Sequence, residues 1–309
     1  MNRCPLSYEV IKEGHYSKNG LRKLNPRLKS LHPLAFTKEE LLEEAAERSG
    51  KISLEGVQPK VSALLSVPES SFILTDVNGM YIIKPQQPVY SSLPENEDLT
   101  MRLAEIAGID VPQHGLIYDK TGTLHYVVKR FDRFGKREKY AVEDFAQLSG
   151  RTRNTKYDSS MESVAGIIEK YCTFPVIEKV KLLTLTIFNY LTGNEDMHLK
   201  NYSLITKSNI TSLTPAYDLL NTTIVLKNTG EEIALPVRGR KRNLTRNDLV
   251  SYFAVERLGL NDRTVEMTMK NLNEAIPMWE DEIAISFLSD GMKEDYLSLL
   301  RKRCRTLGF

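Results

Sequence analysis

Gly193-Asn194-Glu195-Asp196-Met197-His198-Leu199-Lys200-Asn201 is the stretch on which the reading of this chain turns. An apolar run at 175–192 with helical spacing precedes it, and the strand-like Tyr202-Ser203-Leu204-Ile205-Thr206 follows. The stretch is therefore a loop held by two rigid elements. Asp196 and Asn201 stand five positions apart. A carboxylate can orient a hydroxyl and accept its proton, and an asparagine oxygen is a hard ligand suited to Mg²⁺. Asp218, in the segment LTPAYDLLN, supplies a charged oxygen where a second metal ligand is expected. Taken alone, an Asp and an Asn at this spacing more often cap a turn.

Residues further upstream change that balance. Lys84 ends the apolar strand pattern Tyr81-Ile82-Ile83-Lys84, where a lysine is normally solvated. Its functional alternative is pairing with nucleotide phosphates, steadied by a carboxylate from a neighbouring helix. Glu97 is the first candidate for that carboxylate, with Glu95 and Asp98 as competitors. A lysine on a strand, an acid on the next helix, an Asp and an Asn in a loop and then a further Asp form the order of a phosphoryl-transfer set. The Asp–Asn spacing is that of a protein-kinase catalytic loop. Residues 53–60, SLEGVQPK, hold one glycine, so they are not the glycine-rich loop of ordinary protein kinases. A turn there could still bring backbone N–H groups to phosphates, although an ordinary hairpin turn is the simpler reading of that segment alone.

Around these residues the pattern is α+β. The first 35 residues, punctuated by Pro5, Pro26 and Pro33, read as an irregular arm. Thr37 caps a helix running to Gly50, and residues 51–65 read as a strand, a turn at 55–59 and a second strand. Asn78-Gly79 between FILT and MYIIK predicts a hairpin, 95–107 a helix closed by Gly108, and KTGT at 120–123 another hairpin. Beyond residue 132 the chain turns helical, at 161–172, 175–192 (with Val176, Val180, Leu183 and Ile187 near one face), 245–257, 262–275 and 293–305. Strands are expected at 202–206 and 213–217. The domains expected are thus 1–132, an arm and sheet-rich lobe, and 133–309, a helical lobe carrying the loop.

Composition limits the alternatives. The 309 residues carry 42 basic and 40 acidic side chains, too even a balance for nucleic-acid binding by bulk charge. Cys4, Cys172 and Cys304 have neither redox-motif nor zinc-finger spacing. The residues after Met1 lack the apolar core of a secretory signal, and the most apolar run, 182–191, is far below the ~20 residues of a bilayer span. A soluble, cytoplasmic protein without membrane contact is expected.

The blocks SLEGVQPK, YIIKP, PENE, VVKRFDR, VEDFAQ, GNEDMHLKNYSL and LTPAYDLL, in this order, resemble the HipA family of toxin serine/threonine kinases. The resemblance runs from about residue 4 to residue 255. It implies a two-lobed protein-kinase-like fold related to the phosphatidylinositol kinases, using ATP and Mg²⁺. It also implies Asp196 as catalytic base, Asn201 and Asp218 as metal ligands, and Lys84, for which Glu97 is the steadying carboxylate, on the nucleotide phosphates. Glu55, Gly56, Val57, Gln58, Pro59 and Lys60 would form the phosphate loop, and Lys129, Arg130 and Phe131 the strand that meets adenine. His198 and Tyr217 would line the nucleotide site. Ser53 matches the serine that such kinases autophosphorylate, and a phosphate there would repel those of the nucleotide.

Ser53 lies so near the start that the family's extra N-terminal subdomain is missing, which points to the short, split (HipT-like) type. The partners implied are a helix-turn-helix antitoxin, a separate small protein supplying that subdomain, and a protein substrate such as an aminoacyl-tRNA synthetase, with DNA met only through a partner. The basic run Arg238-Gly239-Arg240-Lys241-Arg242-Asn243, with Arg246, reads as a solvated loop or as a docking patch. Two rival functions share the same residues: a small-molecule kinase, and a non-catalytic subunit that docks to a DNA-bound partner.

Overall fold

Residues 2–49, 58–135, 137–227 and 230–309 are described by the computed structural model. The turn expected at 55–59, together with Ser53, Glu55, Gly56 and Val57, lies outside the described residues except for Gln58 and Pro59. The chain forms two compact units. One comprises Met1–Leu99, Pro112–Glu138 and Ile285–Ser289, and the other Thr100–Val111, Lys139–Ala284 and Asp290–Phe309.

The first unit is built on an antiparallel sheet of β1 (Val61–Ser66), β2 (Ser71–Leu74), β3 (Tyr81–Lys84), β4 (His114–Tyr118) and β5 (Leu124–Lys129), in the order β2-β1-β3-β5-β4. Strand alternation turns Val61, Ala63, Tyr81, Ile83, Ile117 and Val127 to one face, where they are buried. The opposite face carries Lys84 and its cross-strand partner Tyr126.

Two sequence expectations fail here. The first 35 residues are no irregular arm. They contain α1 (Lys18–Leu24), capped by Ser17, whose Oγ accepts from Gly20 N at 2.9 Å. Leu6, Leu21, Leu24, Leu28, Leu31 and Leu34 are all buried in the sheet's core. Pro5 O accepts from Leu116 N at 3.2 Å, and Leu34 N donates to Tyr118 O at 2.9 Å. Burying a leucine is worth ~1.5–3 kcal/mol relative to exposing it, which outweighs weak local propensity. The other failure is the hairpin at Asn78-Gly79. β2 and β3 do not pair with each other but flank β1, with Leu74 and Tyr81 both opposite Ala63. The hairpin is β1–β2, across residues 67–70, and residues 75–80 carry the chain past β1. There Thr75 N donates to Ser62 O and Met80 N to Ala63 O, at 2.9 and 3.0 Å. Gly79 is needed for closeness, since a Cβ on it would lie 1.9 Å from Ser62 Oγ.

α2 (Lys38–Ser49) starts as expected. Thr37 and Glu40 form a reciprocal cap, with Thr37 N donating to Glu40 Oε2 at 2.7 Å and Glu40 N to Thr37 Oγ1 at 3.3 Å. α3 spans Leu93–Ile106, beginning two residues before the expected start, and ends at Gly108 with φ 76°. The β4–β5 hairpin turns through the expected residues.

After β6 (Arg133–Phe134) and β7 (Glu138–Lys139), the second unit holds a three-stranded antiparallel sheet of β8 (Ala141–Asp144), β9 (Ser203–Lys207) and β10 (Ile210–Leu213), ordered β10-β9-β8. Its helices include α4 (Phe145–Leu148), α5 (Met161–Tyr171), α6 (Pro175–Thr192), α7 (Thr222–Leu226), α8 (Asp262–Ile285) and α9 (Asp290–Leu307), with a wide π-type turn series at Asn247–Arg257.

Three expectations are corrected. The strand placed at 213–217 lies at 210–213, because Pro215 has no N–H to continue the ladder. The first turns of α6 expose Val176, and its buried run begins at Leu182. α8 passes through Pro277 instead of stopping at 275, held beyond it by buried Trp279 and Ile283. Trp279 Nε1 donates to Leu103 O at 2.8 Å, and its ring meets Phe188 edge-on at 5.5 Å. The architecture is α+β. Among the described residues no helix is long and apolar enough to cross a membrane.

Candidate active site

In the first unit the acidic run at the start of α3 decides what Lys84 does. Successive helix residues point about 100° apart, so each acid finds its own partner. Glu97 Oε1 accepts from Lys84 Nζ at 2.7 Å, with both side chains buried. Asp98 Oδ1 lies 2.8 Å from His114 Nδ1. Glu95 accepts from Gln86 Nε2 at 2.7 and 2.6 Å. Lys84 Nζ also stands 5.7 Å from the centre of the Tyr126 ring. A buried pair of this kind adds little net stability, because desolvation offsets the attraction, but it fixes the ammonium in place. Burial pushes the Glu95 carboxyl up to about 7. Gln58 Nε2 approaches Glu97 Oε2 at 3.5 Å, so the described end of SLEGVQPK reaches the Lys84–Glu97 pair.

Lys60, Ser62, Ile82 and Arg130 line a cavity of about 820 Å³ in the same unit, together with Glu44 and Asp76. Arg130 is clamped by Asp132, with Nε to Oδ1 at 2.9 Å and Nη2 to Oδ2 at 2.6 Å, and its N–H donates to Met80 O at 2.8 Å. Lys129 N donates to Gln113 O at 2.8 Å, and Phe131 is half-buried.

In the second unit α6 stops at Gly193, whose φ of 76° is left-handed. A Cβ there would lie 2.6 Å from Asn221 Oδ1 and 2.9 Å from Thr223 Oγ1, so glycine is required on both counts. The loop that follows is bolted down from behind. Thr222 and Thr223 hydroxyls donate to Gly193 O at 3.2 and 3.1 Å, and Thr222 Oγ1 accepts from Glu195 N at 2.7 Å. Glu195 Oε1 shares the Thr223 hydroxyl proton with Gly193 O, at 2.6 Å from Oγ1, and faces the buried Arg303 at 3.4 Å.

On the front of the loop stands Asp196, half-buried. Its carbonyl accepts from Asn201 Nδ2 at 3.0 Å and His198 N at 2.8 Å, and its N–H donates to Asn194 Oδ1 at 3.2 Å. The phenol of Tyr157 donates a short hydrogen bond to Asp196 Oδ1. Burial pushes the His198 imidazole below its usual value against the pull of Asp196, so the ring is neutral near pH 7. Tyr217 Oη donates to Lys200 O at 2.9 Å and pairs with Ser203 Oγ at 2.6 Å. Asp218 adopts φ 60°, a left-handed conformation uncommon for a non-glycine residue and associated with functional sites.

A family model described as the HipA-like C-terminal domain matches residues 52–279. The chain belongs to this family. A Haemophilus influenzae protein bearing a kinase name is 30% identical over 240 residues, 72% of this chain and 68% of that protein. The Shewanella oneidensis protein named serine/threonine-protein kinase toxin HipA is 29% identical over 191 residues, 55% of this chain and 43% of that one. Among solved structures, a Shewanella oneidensis HipA, determined with HipB and its operator DNA, superposes with a TM-score of 0.71 at 22% identity, covering 91% of this chain and 74% of that one. The Helicobacter pylori proinflammatory kinase CtkA gives 0.55 at 18% identity, over 77% and 88%. Both share the fold.

Within this HipA-like frame, the structure brings the sequence-selected residues into separate clusters: Gln58, Lys84 and Glu97; Lys60 and Arg130; and Asp196, His198 and Asn201. Magnesium can be tested against the third cluster and Asp218. The Asn201 amide nitrogen is used on the Asp196 carbonyl, and its oxygen accepts no hydrogen bond among the described residues. No group of three or more His, Cys, Asp or Glu that could hold a metal occurs among the described residues. Mg²⁺ is commonly held by one or two protein oxygens with phosphates and waters completing its shell, so the Asn201 oxygen fits that ion as part of a nucleotide complex, and Asp218, near enough for its charge to act on His198, would add a second oxygen.

Sequence reading missed Tyr157, Arg303 and the Thr222-Thr223 pair. They lie 39, 107 and 26–27 positions from Asp196, and no local spacing marks them. The basic run at 238–246 has partners in its own unit. Arg238 and Arg240 stand 4.0 and 3.8 Å from buried Asp248, Lys241 lies 3.3 Å from Glu231, and Arg246 bonds Leu307 O.

Proposed function

We propose that this chain is an ATP- and Mg²⁺-dependent serine/threonine protein kinase. The observation that carries the reading is the fixed Asp196–Asn201 pair in a loop anchored from behind, in a chain that also holds a buried Lys84–Glu97 pair. Lys84, held by Glu97, would neutralise nucleotide phosphate oxygens, and residues 55–60 would supply backbone donors to them. Lys129, Arg130 and Phe131 would meet the adenine, with His198 and Tyr217 nearby. Asn201 and Asp218 would hold Mg²⁺, which supplies charge neutralisation at the phosphates when bound. Asp196 would orient the acceptor hydroxyl and take its proton as the oxygen–phosphorus bond forms and ADP leaves.

The names of its relatives support a place in a toxin–antitoxin pair with a HipB-like, DNA-bound antitoxin. A protein substrate of the aminoacyl-tRNA synthetase class, and autophosphorylation at Ser53, are the finer parts of the proposal. The central test is Asp196→Asn. Phosphoryl transfer from labelled ATP to lysate protein, or to the enzyme itself, should fall ~10²–10⁴-fold with the unfolding midpoint unchanged. Transfer at the wild-type rate in the folded variant refutes the assignment. A phosphopeptide covering 52–60 after incubation with Mg-ATP supports Ser53, and its absence from active enzyme refutes that part.

A further inference from the structure

The hydroxyl of Tyr157 stands where an acceptor hydroxyl has to stand. In the kinase reading, on which this inference rests, a protein hydroxyl must donate a hydrogen bond to the Asp196 carboxylate before it attacks phosphorus. Tyr157 already makes that bond, to Asp196 Oδ1. We propose that Tyr157 is a built-in occupant of the acceptor position, and that a protein substrate displaces it in order to react.

Three features separate this role from that of a positioning residue. Asp196 does not need Tyr157 to be held, because its backbone is fixed by Asn194, His198 and Asn201. Tyr157 itself is lightly held. Its side chain is partly exposed, and the turn around it closes on itself through Thr155 N to Thr152 O at 3.3 Å, Asp158 N to Thr155 O at 3.0 Å and Ser159 N to Tyr157 O at 2.9 Å. The neighbouring tie to the catalytic loop is Leu199 N to Lys156 O at 3.2 Å, which involves no side chain of Tyr157. The contacts of the ring are also ones that a swinging side chain can leave. It meets His198 edge-on at 5.1 Å, with the Lys156 and Lys241 ammonium groups 5.0 and 5.9 Å from its centre.

The chemistry follows from one hydrogen bond. A donor on a carboxylate favours the charged form and so weakens it as a base, and a phenol beside it takes the space of the incoming oxygen. With Tyr157 in place, neither water nor a weakly bound hydroxyl is activated at Asp196. A docked protein substrate supplies the binding energy that moves the phenol aside, and its own hydroxyl then replaces it. Idle ATP hydrolysis is suppressed by the same contact.

The test is Tyr157→Phe in the full chain, with water as the acceptor and Mg-ATP as the donor. Steady-state ATP hydrolysis should rise several-fold in kcat with KM for ATP unchanged. A fall in kcat, or no change, overturns the proposal, since a positioning residue would lower the rate and an idle surface residue would leave it alone. The contact is read independently of activity by NMR of ¹³Cζ-labelled tyrosine, with the Tyr157 signal assigned by its loss in Tyr157→Phe. That signal should move in Asp196→Asn, and a signal that stays in place also overturns the proposal. If the NMR contact is present but wild-type enzyme and Tyr157→Phe neither hydrolyse ATP nor transfer phosphate, the kinase reading has failed and takes this inference with it. Hydrolysis that depends on Asp196 but drops in Tyr157→Phe leaves the kinase reading standing and removes this inference alone.

Discussion

The Lys84–Glu97 pair and the Asp196 loop serve the same proposed chemistry by opposite means. Lys84 and Glu97 are withdrawn from solvent and matched charge to charge. Asp196 is left half-exposed, and the order of its loop comes from the side away from solvent, through Gly193, Thr222, Thr223 and the Glu195–Arg303 contact. A group that holds a ligand's charge benefits from a dry, rigid setting, where its own charge is least screened. A group that must receive successive acceptors needs an open face and a rigid back. The contrast places the cost of error differently: in stability as well as activity at Lys84, and mainly in activity at Asp196.

The largest effect should come from separating the two members of the buried pair. Lys84→Met leaves the buried Glu97 carboxylate without the opposing ammonium, and removing one member of such a pair typically costs ~3–5 kcal/mol. Lys84→Met/Glu97→Leu should recover most of that stability in urea unfolding while phosphoryl transfer stays lost. If the double variant is no more stable than the single one, the two residues are not energetically coupled and the contrast breaks.

A smaller loss is expected at the back of the loop. Gly193→Ala sets an L side chain at φ 76° against Asn221 and Thr223, a strain of roughly 1–2 kcal/mol before any clash. The activity loss should exceed what the lost stability explains, because Asp196 moves with the loop. Calorimetry and transfer assays on the same preparation check this, and equal proportional losses would count against a positioning role for this turn.

A further effect, read as a slope and not as a loss in one variant, is a dependence on pH in the first unit. The Glu95 carboxyl, near 4.5 when free, is pushed up to about 7 by burial, with its hydrogen bonds from Gln86 pulling the other way. A raised carboxyl pKa means that the folded state holds its proton longer than the unfolded chain does. Stability from this group is therefore full below about 4.5 and lost as pH rises toward about 7. At about 1.4 kcal/mol per unit the loss is at most about 3.5 kcal/mol. Glu95→Gln should flatten that part of the stability–pH curve, and an unchanged slope would assign it to another group.

Local signals proved easier to read from sequence than tertiary packing. The helix at 95–107 and the β4–β5 hairpin were legible because their signals are local: a 3.6-residue period with a terminal glycine, and a short turn between two apolar runs. The Lys84–Glu97 contact was legible as a choice among three acids, and helix geometry made the choice. The buried N-terminal segment was hidden by its prolines and lysines, although Leu21, Leu24, Leu28, Leu31 and Leu34 recur every three or four residues. The Asn78-Gly79 signal was misleading because a glycine needed for close approach to β1 looks the same in sequence as a glycine needed for a turn. Tyr157 and Arg303 were invisible because only tertiary contact brings them to the loop.

The packing of that N-terminal segment also bears on how the chain comes to be folded. Pro5 bonds Leu116, Leu34 bonds Tyr118, and the Tyr8 ring meets Phe287 at 5.2 Å within the same unit. During synthesis at ~5–20 residues per second, the first leucines wait several seconds for β4 and considerably longer for Phe287. Over that interval an incomplete sheet and a greasy leader are open to chaperones and to one another. Slow, long-range closure of this kind retards folding. Maturation of the first unit is therefore tied to the emergence of Phe287, about 280 residues after its first leucine.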